Sequence, residues 1–466
     1  MSLGEGRLIP APDLIEDALR CATSKGCIVI IEEKSDAEVR FANNTTTTNG
    51  LRRDRRISVI ALFESSKGTS VGVASASGSV DIAALVDAAE DDAASALPAE
   101  DASPLEVADH DDVDFAADPP MTELSVLGDV LSDLNDAFSR ARASHCVLAG
   151  FASHVLSTTY LGTSSGLRRR HVQQGGSLEM AARSDTGRSS VWAGVGTEDF
   201  SDVSLAELDE HLSKRLGWAR RSIELPAGRY EVILPPSAVS DLMSELFFAA
   251  SGRDAEDGSN VFSKASGGTR LGETIAPLPF SLIGDPSYPK LTCAPFVIAP
   301  FSSADMSVFD NGCAIGSTAW IDGGRLSRLR YHRAGARAFS ARFTPAPDNL
   351  VLSLPGATAT LDELIEESEH ALLLTCLWYI REVDPSTLLL TGLTRDGVYL
   401  VEHGEVVGAV NNFRFNESPI DVMGRCVQAG RTERTLGRES GEWMSRTAMP
   451  GLRIPDFNMS TVSPAS

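Results

Sequence analysis

Residues 241–251 read DLMSELFFAAS and set the carboxylate of Glu245 among Leu242, Met243, Leu246, Phe247 and Phe248. Burying an unpaired carboxylate is costly, so Glu245 either has a partner or is the remnant of a site that once had one. Other chemistry-bearing groups are scattered along the chain. Gly162–Gly166 spell GTSSG, the G-x-S-x-G spacing of a nucleophile elbow with Ser164 in the nucleophile position. An elbow needs a strand before it, a helix after it and a positioned His and acid. The LRRRHVQQGGSLEM that follows reads as another extended segment, so a hairpin turn is the better explanation. A hydrolase without metal would need Ser164 or Cys426 with a histidine brought near by folding. Residues 263–273, SKASGGTRLGE, are glycine-rich but lack the G-K-[ST] of a phosphate loop, and they read as a loop.

None of the eight histidines forms H-E-x-x-H or pairs with another at zinc-ligand spacing, and His403 falls in a predicted hairpin turn. The seven cysteines are odd in number and contain no C-x-x-C, which is neither a disulfide framework nor a zinc knuckle. Such usage fits a reducing cytoplasm. DHDDVDFAAD (109–118) lacks the glycine and terminal glutamate of a calcium loop. The residues alone therefore supply no metal or cofactor site.

The elements that must position these groups follow from periodicity. Residues 12–25 predict an amphipathic helix, 27–33 and 37–44 two strands, 57–64 and 68–75 a hairpin, and Ser79 the cap of a further helix. Residues 86–120 carry twelve acids with no Lys or Arg and four prolines, and predict a solvated linker. A helix over 122–143, strands around 145–160, 166–183 and 189–196 and a helix over 204–222 come next, until LPAG (225–228) breaks the chain. Beyond it lie a strand (229–236), helices at 237–251 and 360–376, and a hairpin over 397–410 turning at His403–Gly404. The expectation is an α+β fold: an N-terminal α/β region in two subdomains (1–98 and 122–225) with mixed sheets flanked by helices, joined by an acidic linker (99–121). A strand-rich C-terminal domain with few helices (226–466), antiparallel or barrel-like, follows.

The 466 residues suggest two or three domains with a core large enough to need no staples. A net charge of −23 argues against nucleic-acid binding and against docking on an anionic membrane. The basic clusters Arg52–Arg53–Arg55–Arg56 and Arg168–Arg169–Arg170 read as solvated strand or loop positions. MSLGEGRLIPAPDLIEDALR shows no basic-then-apolar signal pattern, and the longest apolar run, ALLLTCLWYI (371–380), is too short to span a bilayer.

Taken in order and spacing, several stretches resemble the TldD/PmbA family, formerly called modulators of DNA gyrase and now regarded as peptidases. They are EVRFANNTTTTNG, TTYLGTSSG, the segment GRYEVILPPSAVSDLMSELFFAASGRDAEDGSNVFSKASGGTRLGE, FDNGCAIGSTAWIDGGRL, REVDPSTLLLTGLTRDGVYLVEHGEVVGAVNNFRFNESPIDVM and MPGLRIPDF. In the TldD-like branch the helix at this place carries H-E-x-x-x-H, which holds zinc with a Cys near the C-terminus. On this sequence the resemblance puts the histidines at Ser244 and Ala249, the glutamate at Glu245 and the Cys near Leu436, with Cys426 too far upstream to replace it. Only the glutamate is kept. Zinc hydrolases lower the pKa of bound water from ~16 to about 7, which needs about three protein ligands. The resemblance therefore implies the PmbA (TldE) branch: a chain with no cofactor of its own that pairs with a zinc-bearing TldD-like subunit to cleave peptides, unfolded segments or leader peptides. A homodimer when the mate is absent, a self-sufficient or natural-product-tailoring protein, and a peptide-binding module without turnover stay open beside it.

Overall fold

The computed structural model describes residues 9–107, 112–184, 187 and 189–463. Asp109, His110 and Asp111, part of the acidic stretch weighed as a calcium loop, lie outside the described residues. Helix α1 (Ala11–Cys21) buries Ala11, Leu14, Ile15 and Ala18. It stops short of Gly26 because the Glu90 carboxylate accepts from the backbone N–H groups of Thr23 and Ser24 and holds them in a turn. Strand β1 (Gly26–Ala42) is continuous where two strands were expected. Its polar middle, Glu33–Asp36, stays in the ladder because it pairs with Arg55–Arg52 of β2 (Thr45–Ser65), with an Arg55–Glu33 ion pair at 2.6 Å. β2 turns at Ser66–Lys67 into β3 (Gly68–Ser77). The cap of α2 (Ile82–Ser95) is Asp81 rather than Ser79: its carboxylate accepts from Ala83 N and Ala84 N at 3.1 and 3.2 Å.

After α3 (Gly128–Ala143) come β4 (Cys146–Thr163), β5 (Arg168–Ser184), β6 (Ser190–Thr197) and α4 (Leu205–Trp218). The strands on both sides of the linker share one six-stranded sheet, β3-β2-β1-β4-β5-β6, with every neighbouring pair antiparallel. Val29, Ile31, Ala37, Val39 and Phe41 of β1 face the helices, whereas Ile28 and Ile30 pack against Phe296, Val308 and Phe309 of the C-terminal region.

The acidic linker is not simply solvated. Asp112 accepts from Arg169 Nη1 and Arg170 N at 3.0 and 2.8 Å, Glu100 pairs with Arg253 at 2.8 Å, and Pro104 O accepts from Arg333 at 2.8 Å. It straps the first sheet to the second half of the chain. Arg168 pairs with Glu16 at 2.6 Å, so the 168–170 arginine cluster is spent internally.

The C-terminal region contains β7 (Ser222–Ile223), β8 (Gly228–Leu234), α5 (Pro236–Phe248), α6 (Gly252–Glu256), β9 (Ser281–Gly284), β10 (Thr318–Asp322), β11 (Arg325–Leu326), α7 (Arg333–Ala338) and β12 (Leu350–Ser353). Then follow α8 (Leu361–Glu366), β13 (His370–Leu374), β14 (Leu377–Asp384), β15 (Leu389–Thr394), β16 (Val398–Glu402), β17 (Glu405–Val410), β18 (Phe413–Glu417), α9 (Pro419–Arg425), β19 (Gln428–Thr435) and β20 (Thr447–Val462). These strands form a 14-stranded sheet in which parallel pairs (β12/β20, β8/β13, β7/β17) interrupt an antiparallel majority. The helix expected over 360–376 ends at Glu366, and the apolar run beyond it is β13, buried between β8 and β16. A strand covered on both faces reads as continuous hydrophobicity and mimics a buried helix. α5 lies on β20 and β8, with Leu242, Met243, Leu246 and Phe247 in the main core. Each such side chain contributes about 1.5–3 kcal/mol by burial. Among the described residues no helix is long and apolar enough to cross a membrane.

Candidate functional site

Two carboxylates one helical turn apart dominate α5. Asp241 is fully buried and aimed at the loop that follows β19. Its oxygens accept from Arg438 N (3.2 Å), Glu439 N (3.0 Å), Ser440 N (2.9 Å) and Ser440 Oγ (2.9 Å). Burial pushes this carboxyl up to about 7, while the four donors pull it down. The cradle leaves no room at Gly437, where a Cβ would collide with Ser440 Oγ and lie 2.5 Å from Asp241 Oδ1. Ser240 Oγ continues the network to Thr447 Oγ1 at 3.0 Å, which donates to Thr435 O at 2.8 Å.

Glu245, the next carboxylate along, is half-buried, and no hydrogen bond to its side chain forms among the described residues. Burial first, then the charges of Glu439 and Glu382, hold its pKa above the usual range, with Arg381 opposing. Arg381 does not bond Glu245. It donates to Glu439 at 2.9 Å, and Glu439 also takes the backbone N–H groups of Tyr379 and Ile380. The acid in the apolar run thus has like-charged neighbours rather than a partner. A raised folded-state pKa means that the folded protein holds this proton more tightly than the unfolded chain. The stability so gained is present below the unfolded carboxylate range and is lost as pH rises through the folded value. Glu245→Gln is therefore expected to raise the melting temperature at pH 7.5, with the gain vanishing by pH 4; a gain independent of pH would contradict this origin.

The other sequence-derived site positions fall around the same helix. Ser244 is wholly buried, and its Oγ has no hydrogen-bond partner. Ala249 is the C-cap of α5, and its carbonyl accepts from Asn260 Nδ2 at 2.9 Å. Leu436 is buried in the loop that Asp241 anchors, within 3.2 Å of a Cβ built on Gly194 of β6 and 2.9 Å of one on Gly441. Beside it the Arg438 guanidinium lies over the rings of Trp378 (4.6 Å) and Trp192 (5.1 Å) and pairs with Glu179 at 3.2 Å, tying this loop to the first sheet. The structure thus gathers Ser244, Glu245 and Ala249 on one helix and tethers the Leu436 loop to it. Asp241, Glu439, Glu382, Arg381 and Gly437 were missed by the sequence reading. The signal for Asp241 was its i, i+4 spacing to Glu245 within the same apolar run.

Ser164 and Cys426 are not activated. Ser164 sits in the β4–β5 turn, where its Oγ accepts from Cys27 N at 3.0 Å. Burial pushes the Cys426 thiol up to about 12, and its Sγ donates to Gln428 O at 3.2 Å. Among the described residues neither is hydrogen-bonded to a histidine. The 263–273 segment is a loop pinned by an Arg270–Glu273 contact at 2.9 Å. His403 occupies the β16–β17 turn and faces solvent beside Glu369.

An antiparallel six-stranded sheet strapped to a large mixed sheet, with α5 laid on the second, defines an α+β protein of two sheet layers with a helix-borne polar cluster between them. Residues 227–461 match the model of the PmbA/TldA metallopeptidase C-terminal domain, and the chain belongs to the PmbA/TldD family. Its fold resembles TldE from Thermococcus kodakarensis, with a TM-score of 0.75 at 15% identity over 96% of this chain and 98% of that one. It also resembles a protein described as a modulator of a DNA gyrase from Thermotoga maritima, with a TM-score of 0.73 at 15% identity over 96% and 99% of the two chains. A third similar structure, likewise described as a modulator of DNA gyrase, is from Bacteroides thetaiotaomicron (TM-score 0.72, 15% identity, 97% and 98% covered). Likeness at this identity is one of fold. No curated protein sequence matches the chain.

A metallopeptidase domain implies a metal, and the side chains at the three positions to which the family resemblance assigns the ligands do not fit one. Ser244 offers a neutral hydroxyl sealed in the core, Ala249 a methyl and Leu436 an isobutyl group. Zinc requires about three N, S or carboxylate ligands. Among the described residues no group of three or more His, Cys, Asp or Glu side chains is placed to hold a metal ion.

Proposed function

We propose that this chain is the metal-free subunit of a heterodimeric TldD/TldE-type peptidase. A zinc-bearing TldD-like mate would carry the catalytic ion, and this chain would complete the cavity in which peptides or unfolded leader segments are cut. One observation carries the reading: the donor set on α5 and its tethered loop is a sealed hydroxyl, a methyl and an isobutyl group around a retained Glu245. A lone acid without a metal or an activated nucleophile is not a hydrolytic site. The net charge of −23 speaks against a nucleic-acid substrate, and seven cysteines, odd in number and without C-x-x-C spacing, suit a reducing compartment such as the cytoplasm.

The test is reconstitution. Purified alone, as a monomer or homodimer, the chain is expected to cleave an unstructured peptide no faster than buffer and to retain no stoichiometric zinc after dialysis. Addition of a zinc-bearing TldD-like subunit is expected to produce a stable complex and metal-dependent hydrolysis. Turnover by the isolated chain, insensitive to chelator, would overturn the reading.

A further inference from the structure

Arginines in this chain are mostly engaged by acids or carbonyls, as expected for 41 cations facing 64 anions. Three of the exceptions, Arg183, Arg220 and Arg395, meet along one seam, the first two at exposed positions. A cavity of about 410 Å³ lies between β4–β5 of the first sheet and the β16–β17 hairpin of the second, with Arg183 and Arg395 in its wall. A second cavity of about 430 Å³ adjoins it, sharing Ala182, Ser189 and Ala219, and carries Arg220. Among the described residues no side-chain hydrogen bond or ion pair holds any of these three guanidinium groups. Tyr399 and Arg438 also line the first cavity, with one donor atom of each buried beneath its surface. Tyr399 is fully buried with an unpartnered Oη, and Arg438, flat on Trp378, has an unpartnered buried Nε. Among the described residues the one acid in that wall, Asp396, accepts from Ser190 Oγ at 2.6 Å. Cations free of ion pairs along one trough set up a local positive field in an otherwise acidic protein, which favours an anionic ligand there.

We propose that this seam is a binding trough for an extended acidic peptide segment. The cations are distributed over two adjoining chambers rather than converging on one point, which suits carboxylates spaced along a chain and not a single small anion. Between them the walls are small and apolar, Ala149, Ala181, Val398 and Ala409 among them, which leaves room for an extended backbone. Only the choice of a peptide rests on the proposed function; the preference for negative charge rests on the trough itself.

The full-length chain, alone, is titrated by fluorescence anisotropy with fluorescein-labelled Gly-Glu-Ser-Glu-Gly-Glu and with its Gln counterpart amidated at the C-terminus. The acidic peptide is expected to bind at least about tenfold more tightly and to weaken as salt is raised. Arg183→Gln/Arg395→Gln is expected to remove that preference with an unchanged melting temperature, since neither side chain is in an ion pair. Arg53→Gln/Arg56→Gln, which makes the same change in net charge on exposed β2 positions, is expected to leave it intact. Equal binding of the two peptides, no binding of either, or equal losses in both double variants would overturn the proposal. Displacement of the acidic peptide by low-millimolar inorganic phosphate would overturn it too, marking a small-anion site instead. Reconstituted hydrolysis with the zinc-bearing mate is read separately. Charge-blind peptide binding with intact reconstitution would sink the trough alone, and the reverse result would sink the subunit reading alone.

Discussion

Converting Ser244 and Ala249 to His and Leu436 to Cys is expected to create a zinc-binding chain: about one zinc retained per polypeptide after dialysis, where the wild type retains less than about a tenth. Three neutral-imidazole or thiolate ligands supply what the native side chains lack, and sites of this kind bind zinc with apparent free energies on the order of 10 kcal/mol. The geometry leaves room for the attempt. Leu436 fills the space beside Gly194 and Gly441, and trimming it to Cys frees volume on the loop that Asp241 holds against α5. Ser244→His overfills a sealed position at a cost of about 1–3 kcal/mol, partly offset by removing a hydroxyl that has no partner. Residues 244 and 249 lie about 140° apart around an ideal helix, so the second imidazole must reach in from the C-cap. The loop ligand is therefore decisive, and the variant with both histidines but Leu436 intact is expected to hold zinc at least about a hundredfold more weakly. A triple variant that melts normally and holds no zinc would show that these three positions do not converge, and the ligand assignment would fall with it.

What could be read in the chain, and what could not, divides by distance along it. Strands β4, β5 and β6 and the hairpin at His403–Gly404 emerge within a few residues of their observed bounds, because alternation and turn residues are local signals. Residues 34–36 of β1 read as a break because they are polar, and only Asp54, Arg53 and Arg52 opposite explain their place in the ladder. The run 370–374 reads as helix because a strand buried on both faces has no alternation to show. The acidic linker reads as solvated because its counter-ions Arg169, Arg253 and Arg333 belong to other elements. The site behaves in the same way. The helix with Ser244, Glu245 and Ala249 was visible, but the Asp241 cradle joins residues 199 positions apart, and no local pattern encodes that closure.

That closure carries the second large effect. Asp241→Ala removes the acceptor for three backbone N–H groups and one hydroxyl, all within 3.2 Å, in a fully buried place. Each buried donor left without a partner costs about 1–3 kcal/mol, so a loss of at least about 4 kcal/mol is expected by urea denaturation, together with release of the 436–440 loop. Asp241→Asn separates the charge from the shape. With the carboxyl raised to about 7 by burial, the folded state holds its proton more tightly than an unfolded aspartate near 3.9 does. Wild-type stability from this group is then complete below about pH 4 and is lost as pH rises through about 7, whereas the amide does not titrate. The penalty of Asp241→Asn relative to wild type is therefore expected to be largest at about pH 4 and below, and to shrink steadily to a minimum by pH 8. A penalty that grows with pH would mean that the four donors outweigh burial and hold the carboxylate charged. In that case the loop after β19 would be clamped to α5 by an anion rather than by a neutral acid.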